Sequence, residues 1–369
     1  MSATVKAQPS AQDKVTKADI LGTERRWRRG MEPVAAGDSL LPDGSVDYGV
    51  FGPGSVVWDV LLHPSIVVFH HIGQKLAQDT YKPIVAGIRD HEPVVKKGLK
   101  GELTAFDGFE RASRGAGIHG IMWLSDTATA QSMADFLHMV HTKVAGPVID
   151  KGEPELGGYA ASEPRESMWA ALTEMHPMLR MYEAFAFRGG KLPHRLSPER
   201  RDQFIKEVGA YLRIHHAPED EIPTNMAELK ALYAKYEPLF GHSETISISP
   251  ELGYNYMTVM TESIRKNFKP AQWRATMPMM VLYNLVRKPG IGALPAKARQ
   301  ALGLSPEEDK RAVKAARRAL PLMWLLQQRP IERHYMRVMW GPDGVRLFDS
   351  ARRLHKRVLK ERRHAAASR

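Results

Sequence analysis

The chain of 369 residues is long enough for one large domain or two ordinary ones, and its 43% of hydrophobic residues can fill a sizeable core. It has no cysteine, which excludes disulfides, thiolate catalysis, iron–sulfur clusters and cysteine-ligated zinc. Much of its net charge of +12 comes from the final stretch, ARRLHKRVLKERRHAAASR, which is typical of a solvated helix end but also makes an anionic membrane surface a candidate partner. No nucleic-acid motif accompanies that stretch, and nucleic acid is therefore the weaker candidate.

The N-terminal segment is predicted to lack regular structure. Residues 1–22 are polar and aperiodic, which predicts disorder. They lack the apolar run of a secretory signal, and no stretch of 18 uncharged apolar residues follows, so we expect a cytoplasmic protein. Residues 23–54 are rich in Gly, Pro, Asp and Arg, and predict an extended arm with short turns.

From Val56 onward, helical periodicity dominates and predicts an all-α fold. We expect one globular multi-helix domain over 23–330 and a basic C-terminal helix or tail over 331–369. The segments SDTATA, LSPER and LSPEE have the residues typical of helix starts, and ETISIS (244–249) is the best strand candidate. The candidate helices are 56–62, 64–78, 82–91, 103–115, 127–145, 164–187, 198–214, 224–237, 250–267, 270–287, 294–302, 306–328 and 345–363.

The stretch ERASRGAGIHGIMW combines cationic and small residues. Arg111 and Arg114 are three positions apart, so they share one face of a helix, and three glycines follow them. The pattern is typical of an exposed arginine pair before a flexible helix end. It also suits a haem, which needs cations for its propionates and small residues where backbone approaches its face.

Two histidines lie in ADFLHMVHTKVAG (134–146). On a helix over 128–145, His141 falls at the edge of an apolar stripe and points towards the interior, whereas His138 lies further towards the polar side. The stripe consists of Met133, Phe136, Leu137, Val140 and Val144. A histidine in such a position is either a hydrogen-bonded core residue or a metal ligand.

The sequence favours some types of metal site over others. His138 and His141 point at different angles, which disfavours a zinc site built from both. A di-iron bundle needs two Glu-x-x-His units on partner helices, and the chain does not contain such a pair. A haem needs only one axial imidazole, so His141 together with Arg111 and Arg114 makes a reasonable haem constellation.

Four stretches, in this order, carry a resemblance to a known family. They are GPGSVVWDVLLHPSIVVFHHIG, KPIVAGIRDH, LHMVHTKVAG and YAASEPRESMWAALTEMHPMLRMYEAF. Their order and spacing resemble those of the haem-containing helical proteins that include the latex-clearing protein and the MpaB-type oxygenase of mycophenolic acid biosynthesis. The resemblance covers about residues 45–240.

The resemblance implies a haem b-dependent oxygenase, an oxidoreductase whose haem is buried between helices in a globin-like core. It implies that His141 is the proximal iron ligand and that Arg111, Arg114 and Thr173 bind the cofactor, with Arg114 and Thr173 as catalytic residues. The implied substrates are dioxygen and a hydrophobic, isoprenoid or lipid-like molecule that is cleaved at C=C or oxygenated. Glu110 and Glu174 are the candidates for a catalytic glutamate.

Several departures from the family pattern leave other functions open. Arg114 stands where the latex-clearing proteins have a distal lysine, Ala171 stands where a histidine is common, and residues 92–101 form an insertion. These changes favour, as the first alternative, a haem-binding or lipid-binding protein without turnover. A second alternative is a cofactor-free basic helical protein that binds a membrane or nucleic acid.

Overall fold

Helices follow one another along most of the chain, which confirms the predicted all-α class. The computed structural model describes residues 32–188, 193–268 and 270–368, with the backbone alone over 270–279. The helices are α1 (Val56–Leu61), α2 (Pro64–Gln78), α3 (Lys82–His91), α4 (Pro93–Leu99), α5 (Ala105–Leu124), α6 (Thr127–His141), α7 (Pro164–Phe185), α8 (Pro198–Ile214), α9 (Met226–Lys235), α10 (Tyr256–Lys266), α11 (Pro270–Ala293), α12 (Ala296–Ala301), α13 (Pro306–Arg318), α14 (Leu320–Leu326) and α15 (Arg329–Ala367). The burial of a haem among them and the globin-like core stay predictions.

The strands among the described residues are short. β1 (Ser39–Leu40) pairs antiparallel with β2 (Val46–Asp47), and β3 (Ala145–Gly146) pairs antiparallel with β4 (Tyr159–Ala160). The first hairpin lies within the segment for which an extended arm with turns was predicted. The predicted strand at 244–249 is wrong, because this segment runs through turns and only Ile248 forms an isolated bridge, with Asn255. The disorder predicted for 1–22 lies outside the described residues.

Helices α2 and α7 form the centre of the core. α2 packs against α7, α11 and α15, and α5 packs against α6 and α15. Phe69 of α2 stacks on Phe185 of α7 with ring centroids 4.4 Å apart. Burying one such ring contributes roughly 2–3 kcal/mol, so this interface fixes the two central helices relative to each other.

Side-chain caps set several helix starts at the predicted places. Asp126 accepts the backbone N–H of Thr129 at the start of α6, and Ser197 accepts that of Arg200 in α8. Ser305 and Glu308 form a reciprocal capping box at the start of α13. These helix starts could be predicted from the sequence because the capping residues act locally.

Other helix bounds differ from the prediction for identifiable reasons. The insertion 92–101 contains a helix of its own, α4, and α5 continues through its glycines to Leu124. The single helix predicted over 306–328 is two helices, α13 and α14, because Pro321 lacks the N–H that would continue the first one.

α15 is a long helix with a kink at Gly341. Gly341 has φ of 71° and ψ of −175°, a conformation that glycine adopts without strain, and Pro342 follows it. The kink divides α15 into a first arm before Gly341 and a second arm after it. The predicted basic tail, 331–369, includes the second arm and most of the first arm, and the helix crosses the predicted boundary at 330/331, so that division stays a prediction. None of the helices in the described ranges is long and apolar enough to cross a membrane.

Candidate functional site

Histidines from four helices converge on one region. α2 contributes an adjacent pair, α5 and α6 contribute three more, and the end of α8 contributes a second adjacent pair. We call His70, His71, His119, His138, His141, His215 and His216 the histidine cluster. The rings of His70 and His119 have centroids 5.5 Å apart, and those of His138 and His216 are 4.8 Å apart.

His119 is central to this cluster. His71, His141 and His215 each lie near enough to His119 for its charge to contribute to lowering their pKa, although burial is the larger cause in every case. The pKa falls to about 3 for both His71 and His215. Lowered pKa values keep these imidazoles neutral near pH 7, and neutral imidazole is the form that ligates a metal.

His141 is the last residue of α6, where the helix opens into the turn that leads to β3. Burial lowers its pKa, and the neighbouring His138, Arg111 and His119 lower it further. His141 is therefore a neutral, half-buried imidazole on the side of α6 that faces the cluster. Its predicted role as iron ligand stays a prediction.

The last turn of α6 differs from the helical-wheel prediction. Met133 is buried, but Val140 of the predicted stripe is 39% exposed, because it is the first half of α6 that packs into the core. His138 was expected towards the polar side, yet its Nδ1 is shielded from solvent and has no hydrogen-bond partner. The turn that carries His141 thus has an exposed apolar side chain and a buried polar atom without a hydrogen bond.

The predicted arginines lie at the surface near this region. Arg111 donates from Nε to Glu92 over 2.8 Å, and Arg114 donates to Glu110 over 2.6 Å. Both guanidinium groups are about half exposed. Arg111 is the closer of the two to the cluster, since its charge lowers the pKa of His71 and of His141, with burial as the larger cause.

Thr173 lies buried in the middle of α7. Its hydroxyl donates to the carbonyl oxygens of Trp169 and Ala170 in the preceding turn. The donor is therefore occupied, and the oxygen can act only as an acceptor towards another group.

A buried polar network joins three helices beside Thr173. Glu174 of α7 accepts the hydroxyl of Tyr211 of α8 over 3.1 Å, and its carboxylate lies 2.9 Å from Nδ1 of His119 on α5. Nε2 of His119 lies 3.1 Å from the amide nitrogen of Gln74. Burial, followed by the Glu174 charge, raises the pKa of Tyr211 well above its usual range. The tautomer of His119 with a proton on Nδ1 satisfies both of its neighbours.

His70 is fully buried, and neither of its ring nitrogens has a hydrogen-bond partner. It packs between Trp123, with ring centroids 4.7 Å apart, and Trp340, at 5.8 Å. Burial lowers its pKa well below the usual range. An unsatisfied buried polar group costs about 1–3 kcal/mol, so its retention marks the region as a functional candidate.

Sequence reasoning singled out His138 and His141 but missed His70, His119, His215 and Tyr211. A usable signal was present, because FHHIG and IHHAP each place two adjacent histidines in or at the end of an apolar helix. Of the two candidate glutamates, Glu174 belongs to the buried network, whereas Glu110 lies at the surface in the ion pair with Arg114.

Metal binding by side chains alone would need several ligands close together. Within the described residues, no three His, Asp or Glu side chains are grouped so that they could hold a metal ion. A porphyrin supplies four ligands to its iron, so a haem would need only one of these histidines.

Comparisons with known proteins place the chain in a family. The sequence profile described as "ER-bound oxygenase mpaB/B'/Rubber oxygenase, catalytic domain" matches residues 58–323, which include every residue of the histidine cluster. No curated protein and no solved structure matches the chain. Since the profile covers well over half of the sequence, the chain belongs to the family of mpaB/B' and rubber oxygenase catalytic domains.

Proposed function

We propose that this protein is a haem b-dependent oxygenase of hydrophobic substrates, in which His141 would bind the haem iron. The observation that carries the proposal is the position of His141, a neutral imidazole held at a helix end within the histidine cluster. The family supports the reaction class, because its profile is that of an oxygenase catalytic domain.

The residues around His141 fit a haem. Nε2 of His215 is buried without a partner, so the region has a polar atom that the chain itself does not satisfy. Val140 beside His141 offers exposed apolar surface that a flat macrocycle would cover. Arg111 is half exposed at the edge of the cluster, where a cation can pair with a propionate while the charge stays in water.

Bound in this region, haem b supplies the iron that activates dioxygen for oxidation of a C=C bond. The chain's own residues would orient the haem and exclude water around it. Arg114 would need to leave Glu110 to reach the cofactor, whereas Thr173 already lies inside the protein and offers an acceptor oxygen. Glu174 holds the Nδ1 proton of His119 in place, so His119 is the group best arranged to hold a proton near the site.

A hydrophobic, isoprenoid-like substrate agrees with the surroundings of Thr173. Four methionines of α7 are fully buried near it, namely Met168, Met175, Met178 and Met181. Methionine side chains adapt to irregular apolar shapes, so this part of the core can adjust to a long alkene. We also propose that the protein works in the cytoplasm, which cell fractionation would test.

The first experiment is an absorption spectrum of protein expressed with a haem precursor. We expect a Soret band and haem b by pyridine haemochrome, both lost in His141→Ala and kept in His138→Ala. His138 is a matched control, because it lies one turn earlier on the same helix and belongs to the same cluster. A folded wild type that stays colourless and takes up no added haem would contradict the proposal.

Turnover is tested separately in an oxygen electrode with squalene as the alkene. Oxygen uptake that needs both haem and squalene supports the oxygenase. The surface ion pair of Arg114 favours a second candidate, a haem-binding protein without turnover. That candidate predicts a normal Soret band with no uptake on squalene or on other isoprenoids.

A further inference from the structure

An exposed apolar group lies where α14 leads into α15. Trp324 is 45% exposed, Leu325 46% and Ile331 38%, and all three fall within eight residues of one another along the chain. Large apolar side chains in such a group mark an interaction surface more often than isolated ones do.

Gln327 and Arg329, which lie between these residues in the chain, help to line a basic pocket of about 490 Å³. It is lined by Pro64 and Gln327 and by seven charged residues: Arg329, Glu332, Arg333, Asp349, Arg352, Arg353 and Lys356. Both carboxylates are already neutralised, since Glu332 pairs with Arg352 at 2.7 Å and Asp349 pairs with Arg333 at 2.9 Å.

Three cations of the pocket therefore remain uncompensated. Arg329, Arg353 and Lys356 form no ion pair with any described carboxylate, and all three are exposed. An open concave site with a surplus of three positive charges suits an anionic group such as a phosphate diester.

The second arm of α15 is fixed to the body of the protein, so Arg353 and Lys356 are not on a free tail. Arg352 donates to the carbonyl oxygen of Leu62 over 2.7 Å. His355 lies 3.1 Å from the Asp59 carboxylate and accepts the backbone N–H of Gly54 over 2.9 Å. The pocket is therefore held in shape before any ligand binds.

We propose that this surface, Trp324 to Arg333 together with the basic pocket, docks the protein onto an anionic phospholipid bilayer. The pocket receives the headgroup phosphate, and Trp324 and Leu325 enter the interfacial layer. Tryptophan favours this layer, and each basic residue near an anionic membrane contributes about 1 kcal/mol of attraction. The exposed apolar group favours a membrane over nucleic acid, which would need the cations alone. The proposal does not depend on haem or on catalysis.

The test is flotation of the full chain with phosphatidylcholine vesicles, with and without about 30 mol% phosphatidylserine. We expect binding to the anionic vesicles that weakens with salt and is at least about tenfold weaker on neutral ones. Arg353→Glu/Lys356→Glu should reduce it at least about tenfold. Trp324→Ala/Leu325→Ala should also reduce it, because the interfacial contact is lost.

The matched control is Lys206→Glu/Lys230→Glu, on α8 and α9, which changes the net charge equally at two exposed lysines. It should bind the vesicles like the wild type. The proposal is overturned if the wild type ignores anionic vesicles at low salt. It is also overturned if both charge-reversal variants lose binding equally, or if Trp324→Ala/Leu325→Ala binds fully and a DNA duplex displaces the vesicles. Circular dichroism of each variant separates loss of binding from loss of fold.

Discussion

Glu174 connects three helices through a single carboxylate. It accepts a hydrogen bond from the Tyr211 hydroxyl, 37 residues later in the chain. It also lies within hydrogen-bond distance of Nδ1 of His119, 55 residues earlier. A carboxylate can accept from both donors at once. The neutral amide of Glu174→Gln lacks the charge that strengthens both hydrogen bonds, so this variant should lower the free energy of unfolding by about 1–3 kcal/mol. Urea unfolding followed by circular dichroism measures this change.

The control is Glu110→Gln, which removes the partly exposed ion pair with Arg114. Exposed pairs contribute about 0–1 kcal/mol, so this variant should unfold almost like the wild type. Equal losses in the two variants would show that the Glu174 network does not stabilise the fold as its burial implies.

At the scale of one helix, replacing either of two glycines of α5 by alanine should have opposite effects on the free energy of unfolding. A Cβ at Gly120 would lie 2.9 Å from Cδ1 of Trp340, a buried ring that packs against His70 and Phe348. A Cβ at Gly115 would lie 3.3 Å from the Nη1 end of Arg111, which is exposed and can move. Gly120→Ala should therefore lower the free energy of unfolding by about 1–3 kcal/mol.

Gly115→Ala is the matched comparison on the same helix. Alanine is a better helix former than glycine by about 0.5–1 kcal/mol, so this variant should unfold at a slightly higher urea concentration. A Gly120→Ala protein that is as stable as Gly115→Ala would mean that Trp340 can move away from α5.

The elements that the sequence predicted well are those determined by local chemistry. Periodicity and the caps at Asp126, Ser197 and Ser305 act within a few residues, and these helix starts agree with the structure. The candidate helices leave out 329–344, although a basic helix or tail was expected over 331–369, and this segment contains Pro330 and the Gly341–Pro342 pair, which are typical helix breakers. In the structure Pro330 occupies the first turn, where its missing N–H costs nothing, and Gly341 forms a kink.

Over the whole molecule, a residue of the candidate site could be predicted only where a single stretch of sequence indicated its role. His141 could be proposed from its helix and from the family resemblance. The network of Glu174, His119 and Tyr211 could not, because it joins separate helices whose packing is set by the core. The exposure of Arg111 and Arg114 agrees with the exposed pair that their pattern indicates, whereas contact with a haem could not be decided from a shared helix face.

The many buried histidines also determine how the whole fold responds to acid. Burial is the main cause that lowers the pKa of both His63 and His176 to about 4 and that of His71 and His215 to about 3. In the unfolded chain, each of these pKa values returns to about 6.5. Below that pH the unfolded state binds protons that the folded state does not, so acid favours unfolding.

Stability should therefore fall as the pH drops from about 6.5 to about 4, by up to about 1.4 kcal/mol per pH unit for each histidine. Urea midpoints measured over this range test the prediction, and His176→Gln should flatten the dependence because it removes one of the titrating groups. His176 is suited to this test, since Nδ1 lies 3.3 Å from the Tyr233 hydroxyl and a glutamine can keep that contact. The Arg180 charge also lowers its pKa, after burial. A midpoint that does not change across the range would show that the buried imidazoles gain protons without unfolding, which their burial opposes.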